Sequence, residues 1–464
     1  MGPIEVRPTR VRYGVMAYLC SMAYILYLDR ICIGQAGTVM KAELDLTNFQ
    51  WGLVGVAFQI SYGVFEPTTG HWGDRYGSRR VLTRIVLWWS AFTALTGCVW
   101  NFSAELLPGL VVNGFLLLLV VRFLFGAGEA GALPNAARVI AQWFPTGRRG
   151  PAQALISTSA QIGGATAPWV AAYFIQSPYI GWRLAFVIFA SLGLVWAIFF
   201  FRWFRDDPGT HAKVNEAERR YIEGDRSPLS SSQTGACREN HAIPWRQVFR
   251  NPNIWLLGVI NACTAFYSYM LFLWFPTYLK EGRGLDEINS GRLGSLPYLF
   301  GAVGVLLGGY LGDWLTAWSG SRRLALGGMG SVGLALAGVL VASSVRADSP
   351  LLAVLFCSAG FFFSYVQLAA WWAAMGDVGG RHLGALFGLC NMIGLSGGAV
   401  SQVFLGKFAD HMKGLGLEGR AQWDPAFALY GGVLVFGGLL WLFVNPRRSV
   451  VARPDSPRRG TPLD

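Results

Sequence analysis

Residues 107–128 read LPGLVVNGFLLLLVVRFLFGAG, and a second apolar stretch spans 183–201. About 20 consecutive apolar residues in a helix are enough to cross the hydrocarbon core of a bilayer. The whole sequence of 464 residues is 53% hydrophobic and 14% charged, with a mean hydropathy of +0.40. Soluble domains average roughly 25% charged residues. The composition therefore predicts a polytopic α-helical membrane protein.

Apolar runs bounded by proline, glycine and charge predict twelve transmembrane helices in two pseudo-symmetric six-helix bundles, an all-α fold. The expected helices lie near 13–37, 50–72, 81–101, 109–133, 150–176, 181–204, 253–279, 292–313, 323–345, 351–375, 383–409 and 425–445. The long hydrophilic segment between helices six and seven divides the chain. The predicted parts are an N-terminal bundle (1–204), a cytoplasmic linker (205–250), a C-terminal bundle (251–446) and a cytoplasmic tail (447–464).

A weak internal repeat supports this division. The sequence GHWGDRYGSRR at 70–80 returns as GYLGDWLTAWSGSRR at 309–323, each copy at the end of the second helix of its half. Gln161-Ile162-Gly163-Gly164 of helix five likewise matches Asn391-Met392-Ile393-Gly394 of helix eleven. Two like-oriented halves around a central cavity are typical of transporters.

The net charge of +12 is explained by membrane topology. Arginines concentrate in the loops on one side of the predicted topology, which places both termini and the linker in the cytoplasm. We find no basic face or nucleic-acid motif. The seven cysteines are scattered, five histidines form no cluster, and no hydrolase, zinc-protease or phosphate-loop motif occurs. The sequence thus predicts no enzyme, metal, cofactor or nucleic-acid partner.

The pattern G-x-x-G-D-R-x-G-x-R-R at 70–80 resembles the signature loop of the major facilitator superfamily. The resemblance implies a gating role for one set of residues: Gly70, Asp74, Arg75, Gly77, Arg79 and Arg80, with Asp313 in the second copy. We expect Asp74 to accept from a helix N-terminus and the arginines to tie the halves together on the cytoplasmic side. The alternative is simple positive-inside anchoring.

A narrower resemblance lies in YLDRICIG at 27–34 and RFLFGAGEAGALPNAARVIAQWFP at 122–145. These segments look like the anion:cation symporter family, which includes bacterial sugar-acid transporters and sialin-like carriers. The resemblance implies a transporter in a bacterial inner (plasma) membrane whose partners are a small organic anion, a proton and the lipid bilayer. The sequence departs from the family's Gln-x-Pro-Gly-Gly-like end of helix two, because FEPTTG at 65–70 puts Glu66 in the membrane.

Charges inside a membrane helix are costly and usually face a cavity with partners nearby. Arg122 and Glu129 are separated by seven positions and share one helix face, while Asp29 and Arg30 differ by about 100° of rotation. We expect Arg30 and Arg122 to anchor a substrate carboxylate and Asp29 and Glu129 to couple protons by pairing with them while ionised. Internal salt bridges that only hold helices together are the alternative. Glu66 is a third candidate for proton coupling or a structural group near Pro67.

Three uncharged residues complete the predicted substrate site: Tyr62, Gln161 and Asn391. Each can hydrogen-bond a hydroxyl or carboxylate, and each can equally join two helices.

The sequence thus favours a proton-coupled symporter of a sugar acid or another carboxylate, working by alternating access. Rival hypotheses are an uncoupled facilitator or anion exchanger of the same fold, and a ligand-binding membrane sensor. This architecture can work as a monomer, and the sequence does not name the substrate.

Overall fold

The computed structural model describes residues 7–107, 110–224, 245–379 and 383–445. The predicted tail at 447–464 and Asp74's side chain lie outside the described part. The first half contains these elements in chain order: α1 Val11–Glu43, α2 Asn48–Tyr76, α3 Ser78–Gly97, β1 Ser103–Leu107, β2 Leu110–Asn113, α4 Gly114–Glu129, α5 Ala132–Trp143, α6 Arg149–Gln176, α7 Gly181–Trp203 and α8 Glu216–Glu223.

The second half begins with a short helix that leads into the membrane. Its elements are α9 Trp245–Arg250, α10 Pro252–Leu273, α11 Phe275–Thr277, a π-helical turn Tyr278–Gly282, α12 Glu287–Gly294, α13 Leu296–Ser319, α14 Arg322–Ser343, α15 Pro350–Gly379, α16 Leu383–Gly414 and α17 Arg420–Leu440. Short 3₁₀ turns occur at Thr146–Arg148, Pro208–Thr210, Ser344–Arg346 and Trp441–Phe443.

Within the described ranges, nine helical segments are long and apolar enough to cross a membrane. The other three long helices of the bundle, α2, α3 and α6, carry more polar residues. Exposed apolar side chains such as Phe199, Leu306 and Leu439 cover the outside of α7, α13 and α17. The chain is therefore an integral membrane protein whose twelve spans form the predicted helical bundle.

The start of the fourth span differs from the prediction. We expected a helix from residue 109, but Ser103–Leu107 and Leu110–Asn113 pair as an antiparallel hairpin, and α4 begins only at Gly114. The Pro108-Gly109 pair is a turn signal, but a prediction made from hydropathy alone does not take it into account. Asn113 then caps α4 by accepting from the backbone N–H of Leu116 at 2.9 Å.

The fourth span is also broken in its middle, between α4 and α5. Gly131 has φ 85°, a left-handed conformation that ends the helix directly after Glu129. Asn135 stabilises the break. Its side-chain amide donates to the carbonyl of Gly131 at 2.8 Å and to the carbonyl of Thr69 on α2 at 3.2 Å. The break therefore fixes Glu129 at the C-terminal end of α4, beside α2.

The packing has the approximate twofold symmetry that the repeat predicts. In the first half α1 packs on α6, α2 on α4 and α3 on α7; the matching pairs in the second half are α10 with α16, α13 with α15 and α14 with α17. Two matching seams join the halves, α2 with α16 and α6 with α13. A central cavity therefore lies between two similar bundles.

The two faces of the bundle can be told apart by their contacts. Glu218 after α7 accepts from the backbone of Arg12 at the start of α1, and Asp206 accepts from the backbone of Arg79 at the start of α3. Asn253 at the start of α10 bonds Asn445, the last described residue. We call this side the terminal face and the opposite side the far face.

We expect Gly131→Ala to destabilise the protein. A Cβ at Gly131 would lie 2.7 Å from Cβ of Thr69, and the left-handed backbone costs a non-glycine residue about 1–2 kcal/mol before that clash is counted. Thermal unfolding in detergent should show a clear loss. Gly147→Ala is the control, because nothing lies within 4 Å of that position. Equal unfolding temperatures for the two variants would contradict this account of the break.

Candidate functional site

The first feature of the site is a buried ion pair between α1 and α4. Arg30 donates to Oε1 of Glu129 through Nε at 2.8 Å and through a terminal nitrogen. The side chains are 8% and 1% exposed. The second oxygen of Glu129, Oε2, has no hydrogen-bond partner within the described ranges. The carboxylate is therefore held from one side only.

Aromatic rings surround the Arg30 guanidinium. Its central carbon lies 5.2 Å from the ring centre of Tyr27, 5.2 Å from that of Phe58 and 5.1 Å from that of Tyr62. Ring faces attract a cation and exclude water from it. The predicted substrate residue Tyr62 is thus placed in direct contact with the predicted anchor Arg30.

Arg122 is the second buried guanidinium, and it is only 3% exposed. It packs 4.2 Å from the ring centre of Phe125 and 5.6 Å from that of Phe58. Among the described residues no carboxylate forms an ion pair with it, although Asp29 and Glu129 lie close enough for electrostatic interaction. Of the two carboxylates that we expected to pair with the arginines, only Glu129 forms an ion pair in the described part of the chain.

Asp29 points away from Arg30, as the 100° rotation between neighbouring helix residues predicts. Its carboxyl is 1% exposed and lies beside Trp89 and Thr93 of α3. Neither oxygen has a hydrogen-bond partner in the described part of the chain. Asp29 therefore takes no part in the ion pair between Arg30 and Glu129.

A cavity of about 30 Å³ lies between the halves, next to both arginines. Its lining comes from three helices of the first half and two of the second: Arg30 and Ile33 of α1, Val54, Gly55, Phe58 and Gln59 of α2, Arg122 of α4, Tyr269, Phe272 and Leu273 of α10, and Gln402 of α16. This volume is about that of one water molecule. An organic anion is larger than this volume.

Three polar lining residues were not among the predicted substrate-binding residues: Gln59, Tyr269 and Gln402. The signal for Gln59 is its helix face, because Gln59, Tyr62 and Glu66 are separated by three and four positions. Gln402 gave no comparable signal, because an uncharged polar residue in a membrane helix is as often structural. Arg30 and Arg122, the two predicted anchors, line one cavity, and Gln402 completes its second-half wall.

Glu66 and Asn391 meet across the seam between α2 and α16. The Asn391 amide donates to Oε2 of Glu66 at 2.9 Å, and the Tyr62 hydroxyl lies 3.4 Å from Oε1. Gln161 occupies the matching place on the other seam, where it is 2% exposed and faces Gly301 of α13. Neither Asn391 nor Gln161 lines the small cavity, and the two residues lie on different seams.

The predicted gating loop makes its described contacts inside the first half. Asp206 accepts from the backbone N–H of Arg79 at 2.9 Å, at the N-terminus of α3. The side chain of Asp74, for which we predicted such a role, lies outside the described part. The Arg79 side chain donates to the carbonyl of Phe201 at 2.8 Å. Gly77 has φ 81°, which the turn requires.

The remaining gating candidates also make no described contact between the halves. Arg75 stacks near Tyr76, whereas Arg80 and Asp313 are exposed, and Gly70 lies near Pro134. The described residues of the loop therefore form no tie between the halves in this structure, where polar contacts join the halves at the far face.

The far face is closed by polar contacts that begin on α1. The amide of Gln35 donates to Oε1 of Glu287 at 2.6 Å and to the Ser290 hydroxyl at 2.9 Å. Lys280 donates to the backbone carbonyl of Gln35 at 2.7 Å and pairs with Glu287 at 3.1 Å. Side chains of both halves therefore satisfy one another at this end of α1.

Further contacts of the same kind join α1 and α2 to the second half. Lys41 pairs with Glu281 at 2.8 Å and donates to Asn48 at 2.6 Å. Asp410 of α16 accepts from the backbone N–H groups of Asn48 and Phe49 at 3.2 and 2.8 Å, and so caps α2. We call these residues the far-face lock: Gln35, Lys41, Asn48, Lys280, Glu281, Glu287, Ser290 and Asp410.

A bundle of two matched halves with a charged central cavity, closed at one membrane face, defines the class of membrane transporters and not of enzymes. The family model "Major Facilitator Superfamily" matches residues 19–402. The chain belongs to the major facilitator superfamily.

Curated relatives match nearly the full length. The chain is 32% identical to the probable sulfoacetate transporter SauU of Cupriavidus necator, over 97% of this chain and 96% of that protein. It is 29% identical to the probable galactarate/D-glucarate transporter GudP of Bacillus subtilis, over 86% of each. Among solved structures, a bacterial homolog of the human lysosomal transporter Spinster, inward-facing and unoccupied, aligns with a TM-score of 0.68 at 20% identity, covering 94% of this chain and 96% of that one.

Breaking one side of the Arg30–Glu129 pair should cost more than removing both charges. We expect Arg30→Met and Glu129→Leu each to destabilise the protein by about 3–5 kcal/mol, because each leaves a buried charge unpaired, and the double variant to lose less than the sum. Thermal unfolding in detergent measures this cycle. The exposed pair Arg219–Glu223, with side chains 49% and 46% exposed, is the control and should show little coupling. Additive losses at Arg30 and Glu129 would contradict the pairing.

Proposed function

We propose that the protein is a proton-coupled symporter of a small organic anion. The observation that carries this proposal is Arg122, a guanidinium buried beside a central cavity without a described ion pair. A fixed buried cation is a strong attraction for a carboxylate, and the guanidinium fork matches the two oxygens of that group. The two curated relatives support the substrate class, since their names assign sulfoacetate and galactarate or D-glucarate, which are organic anions.

Glu129 is the proposed proton-coupling group. While ionised it holds Arg30 and cancels its charge, so that the cavity carries the field of Arg122 alone. Protonation of Glu129 releases Arg30, which then faces the same cavity as a second cation. The bound anion in turn makes the protonated state more favourable, because coupling between two ligands is reciprocal. Proton and anion therefore bind together.

Asp29 acts in this proposal through Arg122, without a direct contact to the substrate. Its carboxyl is buried beside α3, but it is close enough to Arg122 for an electrostatic interaction. When ionised, Asp29 weakens the attraction of Arg122 for an anion. When Asp29 is neutral, it does not weaken the attraction of Arg122 for the anion.

Glu66 belongs to the seam in this proposal. Its bond to Asn391 joins α2 and α16 between the cavity and the terminal face. An anion that approaches from that side meets the Glu66 carboxylate first. Breaking the Glu66–Asn391 bond, by protonation or by movement of the halves, opens this route.

The placement of the contacts between the halves supports alternating access. The far-face lock closes one side of the cavity in this structure. We propose that the terminal face is cytoplasmic, because the arginine-rich loops lie there. The bundles 1–204 and 251–446 then rock about the cavity, and the loops at 70–80 and 309–323 approach each other when the far-face lock opens. Nothing in this cycle requires a second copy of the chain.

Uptake into liposomes tests coupling and binding together. We expect purified protein to accumulate labelled gluconate, glucarate or sulfoacetate when the inside is made alkaline relative to the outside. Glu129→Gln should abolish the response to the gradient while equilibrating exchange persists. Arg122→Ala should lower uptake by roughly a hundredfold, since a charge-assisted bond in a dry site contributes about 1.5–3 kcal/mol and other contacts depend on it.

The matched control is Arg220→Ala, which removes an arginine whose side chain is 79% exposed. It should leave uptake unchanged. Equal equilibration with and without a gradient would identify an uncoupled facilitator, and trans-stimulation by internal anion alone would identify an exchanger. Unchanged transport in Arg122→Ala would contradict the binding role of that residue.

A cross-link across the far-face lock tests alternating access. Asn48 and Asp410 lie on opposite halves, with the Asn48 amide nitrogen 2.9 Å from a carboxylate oxygen of Asp410. In a variant without the seven native cysteines, cysteines at both positions should be bridged by a short bifunctional methanethiosulfonate reagent. The bridge should abolish uptake, and a reductant should restore it.

The single variants Asn48→Cys and Asp410→Cys, treated with the same reagent, serve as controls for the loss of either side chain. Continued uptake by fully cross-linked protein would show that the far face need not open, and would contradict alternating access.

A further inference from the structure

Two glutamines in the cavity wall have polar atoms without partners. Gln59 of α2 is 2% exposed, and neither its amide nitrogen nor its carbonyl oxygen has a hydrogen-bond partner among the described residues. Gln402 of α16 is 1% exposed; its nitrogen donates to the carbonyl of Tyr269 at 2.7 Å, while its Oε1 has no partner in the described ranges. Buried amides are normally satisfied, so this arrangement calls for an explanation.

Each glutamine lies over a glycine of the opposite half. A Cβ at Gly398 of α16 would be 2.7 Å from Oε1 of Gln59, and a Cβ at Gly55 of α2 would be 3.1 Å from the amide carbon of Gln402. Any side chain at either glycine would displace the amide next to it. The seam is therefore shaped to hold both amides, and both line the same cavity as Arg30 and Arg122.

We propose that Gln59 and Gln402 form an uncharged subsite that binds a hydroxyl group of the transported anion, so that the substrate is a hydroxy acid. This inference rests on the proposed function, in which Arg122 binds the acid group. The subsite offers two acceptor oxygens, Oε1 of Gln59 and Oε1 of Gln402, and one donor group, the Gln59 amide nitrogen with its two N–H bonds. A hydroxyl group both donates and accepts and so fits this set. A second carboxylate or sulfonate only accepts, and it would face two acceptor oxygens.

The two glutamines lie on opposite halves of the molecule, and this placement affects transport. Gln59 belongs to the first half and Gln402 to the second, so one hydroxyl bonded to both joins the halves at their seam. An anion without a hydroxyl still binds Arg122 but forms no such bridge. The subsite therefore selects for the substrate that can bring the halves together around it.

Four acids with six carbons separate these contributions: gluconate, hexanoate, D-glucarate and adipate. They differ only in whether they carry hydroxyl groups and one or two carboxylates. Binding of each to the purified protein is measured by competition with a labelled acid that the wild type binds. We expect gluconate to bind best, and Gln59→Leu and Gln402→Leu each to weaken it by roughly tenfold while hexanoate is unaffected.

Two sets of control variants test whether the changes in affinity are specific to the subsite. Gln176→Leu removes a glutamine that is exposed at the end of α6 and should change no affinity. Gln59→Asn and Gln402→Asn keep the polarity but withdraw the amide from the cavity, and thermal unfolding checks that every variant is folded. The asparagine variants should also weaken gluconate more than hexanoate.

The outcomes distinguish this inference from the function on which it rests. If the wild type binds neither labelled sulfoacetate nor any of the four acids, the proposed function fails and the subsite with it. If it binds sulfoacetate but none of the four acids, the organic-anion site stands and the hydroxyl subsite is overturned. If it binds gluconate and hexanoate equally, or if the glutamine variants weaken both acids equally or neither, the organic-anion site stands and the hydroxyl subsite is overturned. A preference for adipate over hexanoate that is lost in Gln402→Leu would also overturn it, because the subsite would then hold an acid group.

Discussion

The ion pair between Arg30 and Glu129 is the interaction on which the site depends. Each charge alone would be very costly in the hydrocarbon region, and the pair is tolerated because its partners meet directly. Glu129 reaches Arg30 because α4 ends there, and α4 ends there because Gly131 turns the chain. A backbone conformation available chiefly to glycine thus places the carboxylate that pairs with Arg30.

Much of this could be predicted from the sequence, because charge in an apolar run is a strong signal. The helices, the two halves and the buried charges follow from hydropathy and the repeat. The hairpin before α4 was missed, since the apolar run conceals a turn signal at Pro108-Gly109. The sequence also did not predict which carboxylate pairs with which arginine. The helix faces bring Asp29, Arg30, Arg122 and Glu129 near one another, but they do not determine which carboxylate meets which guanidinium.

The uncharged half of the cavity was harder to predict for a related reason. Gln59 and Gln402 become informative only when their partners are known to be absent and the glycines opposite them are seen. The far-face lock was likewise not predicted, because Lys41, Glu281 and Asp410 look like ordinary loop charges. A single charge near the membrane surface costs little free energy. The pattern of these charges in the sequence therefore does not indicate that they join the two halves of the molecule.

The two buried carboxylates are not equivalent, and their difference bears on how a proton could control an anion. Glu129 touches the arginine whose charge it cancels, so its protonation changes both the contacts and the field in the cavity. Asp29 faces α3 and can act on Arg122 only through the field. Field effects persist here because the surroundings are apolar and screening is weak. Coupling through Glu129 therefore requires a side-chain movement, whereas coupling through Asp29 requires none.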